Sequence, residues 1–168
     1  MWFLAQLEPE SVEYNMPAAI YLDGEVDVPA LAAALGGLIA RHEVLRTRLV
    51  AGEDGVPYQV IDPAPERFDL PIVDLTGEPD PAAAAQAWVL ADGHVPFDLA
   101  NGPLLRATLV RVAADEHVLA LAMHHVVGDE WSGGILQDEL GALYAGSSFG
   151  VAGAVCGLCG VAAGLAVG

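Results

Sequence analysis

The sequence contains no lysine, and its six cationic side chains, all arginine, face 23 carboxylates for a formal net charge of −17. A surface of that sign repels phosphate backbones and anionic lipid headgroups, which argues against nucleic-acid and membrane-surface binding. Neutral or cationic partners are expected instead. The first residues lack a basic stretch leading into an apolar run, so no secretory signal is expected and the cytoplasm is the expected compartment. Cysteine is scarce. Cys156 and Cys159 form one CxxC with no second pair and no neighbouring histidine, so neither a metal site nor a redox motif is expected.

What is present suits a folded domain. The 168 residues are enough for one domain or one lobe of a larger one, and 54% of them are apolar. The composition divides the chain into 1–146, which reads as a mixed α/β sequence, and an apolar Gly/Ala-rich tail, 147–168, without charge. Val151 to Val167 is just long enough to span a bilayer, but six glycines between Gly150 and Gly168 and the lack of a basic flank make it a poor span. Either an aberrant, disordered end or a genuine apolar tail fits that composition.

Within 1–146 the patterns alternate between strand and helix. Ala18–Leu22 suits a strand, and Asp23-Gly24 a turn. Asp27 caps a helix with Pro29 in its first turn, and Leu31, Leu35, Leu38, His42 and Leu45 then recur at helical spacing. Gly36-Gly37 lowers the propensity of that helix while permitting close packing. Arg46–Ala51 and Val56–Ile61 flank Glu53-Asp54-Gly55 as a hairpin, and Ile72–Leu75 is a further short strand. Asp80-Pro81 opens a second helix running to about Ala91, and Asp92–Pro103 reads as loop. Leu104–Val112 and His117–Met123, joined by Ala113–Glu116, form the clearest hairpin. Its second strand runs into His124-His125, and Gly128–Ser132 leads to a third helix capped by Ser132. That helix carries Ile135, Leu136, Leu140, Leu143 and Tyr144 on its inner side.

The chemistry-bearing stretch is Met123-His124-His125-Val126-Val127-Gly128-Asp129-Glu130-Trp131-Ser132. Successive strand side chains point to opposite faces, so His124 and His125 do not converge on one metal ion. One should pack and the other face a cleft, where an imidazole exchanges protons near neutral pH. By itself the pair reads more readily as two packed histidines at a strand end. Arg41, His42, Glu43 and Arg46 likewise read, on their own, as a solvated helix end whose arginines favour the dipole. Trp2, Phe3 and Trp88 read as packing residues.

The stretch resembles the HHxxxDG signature of condensation domains of nonribosomal peptide synthetases, with Trp131-Ser132 following as it often does there. Arg41-His42-Glu43-Val44-Leu45-Arg46-Thr47 is similar to that family's RHExLRT motif. Trp2-Phe3-Leu4-Ala5-Gln6-Leu7-Glu8-Pro9, with Tyr14-Asn15 and Pro17, is similar to the end of its first motif. The resemblance covers residues 1 to about 145. It implies a chloramphenicol-acetyltransferase-like lobe, the N-terminal half of a two-lobed domain with a tunnel between the lobes. Carrier proteins present donor and acceptor thioesters on phosphopantetheine arms, and the acceptor amine attacks the donor thioester to give an amide. No cofactor or metal of the domain's own is implied. Partners are the donor and acceptor carrier proteins and the rest of the synthetase module.

By the same resemblance His125 is the catalytic residue, as general base or by positioning the amine. His124 is structural, Gly128 belongs to the motif's loop, and Asp129 is buried and paired with Arg41 or Arg46. Glu130 departs from the motif, which has glycine there. A left-handed backbone at that position costs a non-glycine residue about 1–2 kcal/mol, and a carboxylate narrows the tunnel. Tyr14-Asn15 and Trp131-Ser132 lean towards the subtype joining two L-residues, whereas a cyclising variant has Asp for the first histidines. A stand-alone O- or N-acyltransferase of the same superfamily and a non-catalytic docking lobe are the other readings. A lobe without its partner is expected to be inactive.

Overall fold

The computed structural model describes residues 2–148, so the tail from 149 onward, with its CxxC and apolar stretch, lies outside the described residues. The elements in order are α1 (Trp2–Leu7), β1 (Asn15–Asp23), α2 (Val28–Arg41), a 3-10 turn (Glu43–Arg46), β2 (Thr47–Ala51), β3 (Pro57–Ile61), β4 (Ile72–Asp74), α3 (Pro81–Gly93), β5 (Leu105–Arg111), β6 (Glu116–His124) and α4 (Glu130–Ser148). The mixed α/β class is as expected. α4 continues two residues past Gly146, where the composition changes.

A four-stranded sheet in the order β1-β6-β5-β4 carries the lobe, and β2 and β3 form a separate hairpin. β6 lies antiparallel to both β1 and β5, while β4 runs parallel to β5. A parallel neighbour needs a crossover, and α3 with its flanking loops supplies it. β1 begins three residues earlier than the apolar run suggested and includes Pro17. Proline is tolerated there because β1 is an edge strand, laddered among the described strands with β6 alone.

Helices cover both sides of the sheet. Leu31, Leu35 and Leu38 of α2 and Leu140 and Tyr144 of α4 pack with Leu105, Ala107, Leu109 and Leu119 into the main core. Ala85 and Val89 of α3 pack against Val110, Val118 and Ala120 in a second core. That double coverage explains why β6 is buried along nearly its whole length instead of alternating.

The caps of α2 and α3 follow the sequence. Asp27 accepts the Ala30 N–H at 2.9 Å and Asp80 accepts the Ala83 N–H at 3.0 Å, each with proline in the first turn. The periodicity through His42 and Leu45 is not one continuous helix. His42 is extended at φ −103°, and the chain tightens into the 3-10 turn before entering β2. Both helix types align residues three apart, so Leu45 stays inward, 2% exposed, under either.

α4 starts at Glu130, not after a Ser132 cap, because the Asp129 carbonyl already accepts the Gly133 N–H at 3.0 Å. Ile135 is exposed, about 100° around the helix from Leu136, which packs partly against the core. Phe3 is also exposed, whereas Trp2 and Trp88 pack partly against the two cores.

Candidate functional site

β6 ends at His124, and the next residue begins a turn. His124 is 4% exposed. Its ring lies 6.0 Å from that of Tyr14 and 6.2 Å from that of Phe97, the latter nearly perpendicular at 82°. Its Nδ1 accepts the Val126 N–H at 3.1 Å, which leaves the ring proton of the neutral imidazole on Nε2. Burial, and then the adjacent His125, push the His124 imidazole below its usual pKa. A neutral ring is what the Val126 bond requires, since a protonated Nδ1 cannot accept.

His125 is exposed. Its N–H donates to the Tyr14 carbonyl at 2.8 Å, and the Val127 N–H donates to the His124 carbonyl at 3.0 Å. These two backbone bonds and the Val126–His124 bond hold the turn, so an exposed imidazole stands on a fixed support. One histidine is packed and its neighbour is exposed, but the cleft expected beside His125 is not among the concavities of the described residues. Two concavities of the lobe lie elsewhere, one between α4 and β1 and one between α3 and the sheet, and neither is lined by His125.

The remaining motif residues sit differently from expectation. Asp129 is exposed, so the burial that called for an arginine partner is absent. The two arginines are engaged elsewhere. Arg41 Nε lies 3.6 Å from Glu139, which also meets His42 Nε2 at 2.8 Å, tying the end of α2 to α4. Arg46 donates to the Asp62 carbonyl at 2.6 Å and to Glu43 at 3.3 Å. The second motif thus braces the α2–β2 junction, where Thr47 Oγ1 donates to the Glu43 carbonyl, and just beyond the motif Arg48 forms a bidentate pair with Asp62. Gly128 is half-buried in the loop before α4 and is not among the positive-φ glycines. Glu130 opens α4 in helical backbone, and no described non-glycine residue has positive φ, so the anticipated left-handed cost does not arise.

Residues outside the histidine motif complete the support. Asn15, opposite His124 in the β1–β6 register, donates from Nδ2 to the carbonyls of Gly93 at 2.8 Å and Val95 at 2.9 Å. Arg106 donates to the carbonyls of Asp92 and Val95 and places its guanidinium 3.9 Å from the centre of the Phe97 ring. The end of α3 and the loop after it are thereby clamped beside His124. In the sequence Asn15 showed only as part of a motif, Arg106 as a strand residue and Phe97 as loop. An aromatic residue between Pro96 and Asp98 was the available signal.

Among the described residues no group of three or more His, Cys, Asp or Glu side chains is placed to hold a metal ion, and no helix is long and apolar enough to cross a membrane.

The condensation-domain family model matches residues 1–150. Chondramide synthase of Chondromyces crocatus is 48% identical over 146 residues, covering 86% of this chain and 4% of that protein. Cyclosporin synthetase of Tolypocladium inflatum is 39% identical over 152 residues, covering 90% of this chain and 1% of that protein. Among solved structures, the starter condensation domain of rhizomide synthetase superposes with a TM-score of 0.81 at 31% identity, covering 92% of this chain and 37% of that one. The first condensation domain of the CDA synthetase gives 0.81 at 29% identity, covering 90% and 39%. The chain therefore spans well under half of these condensation-domain structures.

Proposed function

The chain belongs to the condensation-domain family, and from that premise we propose that it is the histidine-bearing, N-terminal lobe of a chloramphenicol-acetyltransferase-like domain that joins two carrier-bound substrates in nonribosomal peptide synthesis. The observation that carries this reading is the pairing of an exposed His125 with a buried, neutral His124 that holds its turn. An acyl donor arrives as a thioester on the phosphopantetheine arm of one carrier protein, and an aminoacyl acceptor on another. The acceptor amine attacks the thioester carbonyl, the C–N bond forms and the C–S bond breaks, and the amine proton passes on as the donor pantetheine thiol is released. His125 is the catalytic residue in this reading. Its imidazole takes a proton or a hydrogen bond from the attacking amine, and a second lobe supplies the facing wall that holds both arms.

His124 is then structural. Asp129 and Gly128 shape the approach to α4, while Arg41 and Arg46 stabilise the neighbouring junction rather than Asp129. The partners proposed are the two carrier proteins and the rest of the module, in the cytoplasm, with no resident cofactor or metal.

The test joins this lobe to the second lobe of a homologous condensation domain and follows dipeptidyl-thioester formation between loaded carrier proteins by mass spectrometry. His125→Ala should lower the rate by about 10²–10⁴ while carrier loading continues. Amide formation at the parent rate would remove His125 from the mechanism.

A further inference from the structure

The geometry around His124 points to a further assignment: we propose that Phe97, clamped by Arg106, is a positioning residue that holds the His124 ring with Nδ1 towards the Val126 N–H and so fixes the turn presenting His125. That the turn matters for catalysis rests on the reading of His125 above; the positional claim does not.

Three contacts carry it. The first is the near-perpendicular packing of Phe97 on His124, 6.2 Å between centroids, with Phe97 7% exposed. Perpendicular packing at this distance is a favoured arrangement of aromatic rings and resists rotation of either one. The second is the Arg106 guanidinium, 3.9 Å from the Phe97 centroid. Arg106 is itself held by the Asp92 carbonyl at 2.7 Å, the Val95 carbonyl at 3.0 Å and the Asp92 carboxylate at 3.5 Å. It therefore cannot swing away without losing the end of α3 as well. A partly desolvated guanidinium over an aromatic face is attractive, and both groups are shielded here. The third is the Nδ1–Val126 bond, which exists in only one of the two orientations a buried imidazole can take. Rotating the ring by half a turn about its Cβ–Cγ bond removes the acceptor and frees the first amide after His125. Tyr14 closes the other side of the ring at 6.0 Å, and its carbonyl anchors the His125 N–H, so ring and turn share a support.

The experiment uses the full 168-residue chain, labelled with nitrogen-15. Long-range proton–nitrogen spectra of the imidazoles report the tautomer of each histidine, and amide exchange reports the turn. The parent should show His124 protonated on Nε2 alone, with Val126 protected. Phe97→Leu keeps the site apolar but removes the ring, and Arg106→Gln removes the cation. In each, His124 should populate both tautomers and the Val126 amide should exchange about 3- to 10-fold faster, the loss expected for one hydrogen bond. The amides of β5 and β6 serve as the control for folding, and Phe97→Tyr, which keeps the ring, should restore the parent pattern. Variants with parent-like strand protection, one His124 tautomer and unchanged Val126 exchange would overturn the proposal. A parent chain whose His124 carries its proton on Nδ1 overturns it with no variant needed. Because turnover is not measured, an active His125→Ala protein leaves this result untouched, and the converse also holds.

Discussion

His117 is the second histidine that the fold removes from water, 5% exposed near the start of β6, opposite Leu22 on one side and Arg111 on the other. Its Nδ1 is buried with no hydrogen-bond partner among the described residues. Burial, and then the Arg111 guanidinium, lower its pKa. In the unfolded chain the same ring takes a proton below about pH 6.5. Between that value and the lower folded pKa the unfolded state binds more protons, so stability falls as pH falls. One such group changes stability by at most about 1.4 kcal/mol per pH unit. His117→Leu removes this linkage and the unpaired nitrogen, whose burial costs about 1–3 kcal/mol. Leucine does not fill the imidazole site fully, which takes back part of that gain. The variant should therefore match or exceed the parent near pH 7.5, and its margin should widen by up to about 1.4 kcal/mol per unit below pH 6.5. Urea unfolding of the full chain, followed by tryptophan fluorescence, measures both, since Trp88 packs against the core beside His117. A margin that stays constant with pH would refute the reasoning, because His117 would then bind protons equally in both states.

Other substitutions test the packing that holds the site. Leu109→Ala, at a residue 0% exposed in the central hairpin, should cost about 2–5 kcal/mol in the same urea assay. Gly37→Ala should raise the melting temperature through a gain of up to about 1 kcal/mol, because a Cβ there meets Leu143 at an ordinary 3.7 Å while the helix gains propensity. Gly93→Ala should cost about 1–3 kcal/mol, since its Cβ falls 3.0 Å from that of Pro17 where the end of α3 crosses β1, and circular-dichroism melts would show the loss.

Local signals in the chain were sufficient for the elements that announce themselves locally. Asp27 with Pro29 and Asp80 with Pro81 mark helix starts, because capping is a bond between residues three apart. The β5–β6 hairpin was visible because its strands are joined by a short turn. Boundaries failed where two backbone types satisfy the same spacing, as at His42–Leu45, or where the helix begins ahead of the expected cap, as at Glu130, whose helix already has the Asp129 carbonyl accepting the Gly133 N–H. α1 was missed because six residues are too few to show a period. The pairing of β4 with β5 was invisible for another reason: it depends on a long crossover through α3, and no local pattern encodes which strand lies beside which.

The site divides along the same line. His124 and His125 were legible as an unlike pair, and the chain does bury one and expose the other, although what separates them is the end of β6 at His124 and the turn that begins at His125. The support was not, since its contacts are long-range in sequence. Asn15 reaches carbonyls 78 and 80 residues away, and Phe97 meets His124 from far earlier in the chain. The expected burial of Asp129 is not met, since Asp129 is exposed. With Asp129 exposed, a charge there costs little, and the arginines are better used where backbone carbonyls and carboxylates need donors, at the α2–β2 and α2–α4 junctions. The consequence is a division of labour that the motif alone does not suggest. The second motif stabilises the junction leading into β2, while the histidine turn takes its rigidity from the opposite direction, through Asn15, Phe97 and Arg106 at the end of α3. A change in α3 or its following loop should therefore reach His125 more directly than a change in Arg41 or Arg46, although the latter lie in the more recognisable stretch of sequence.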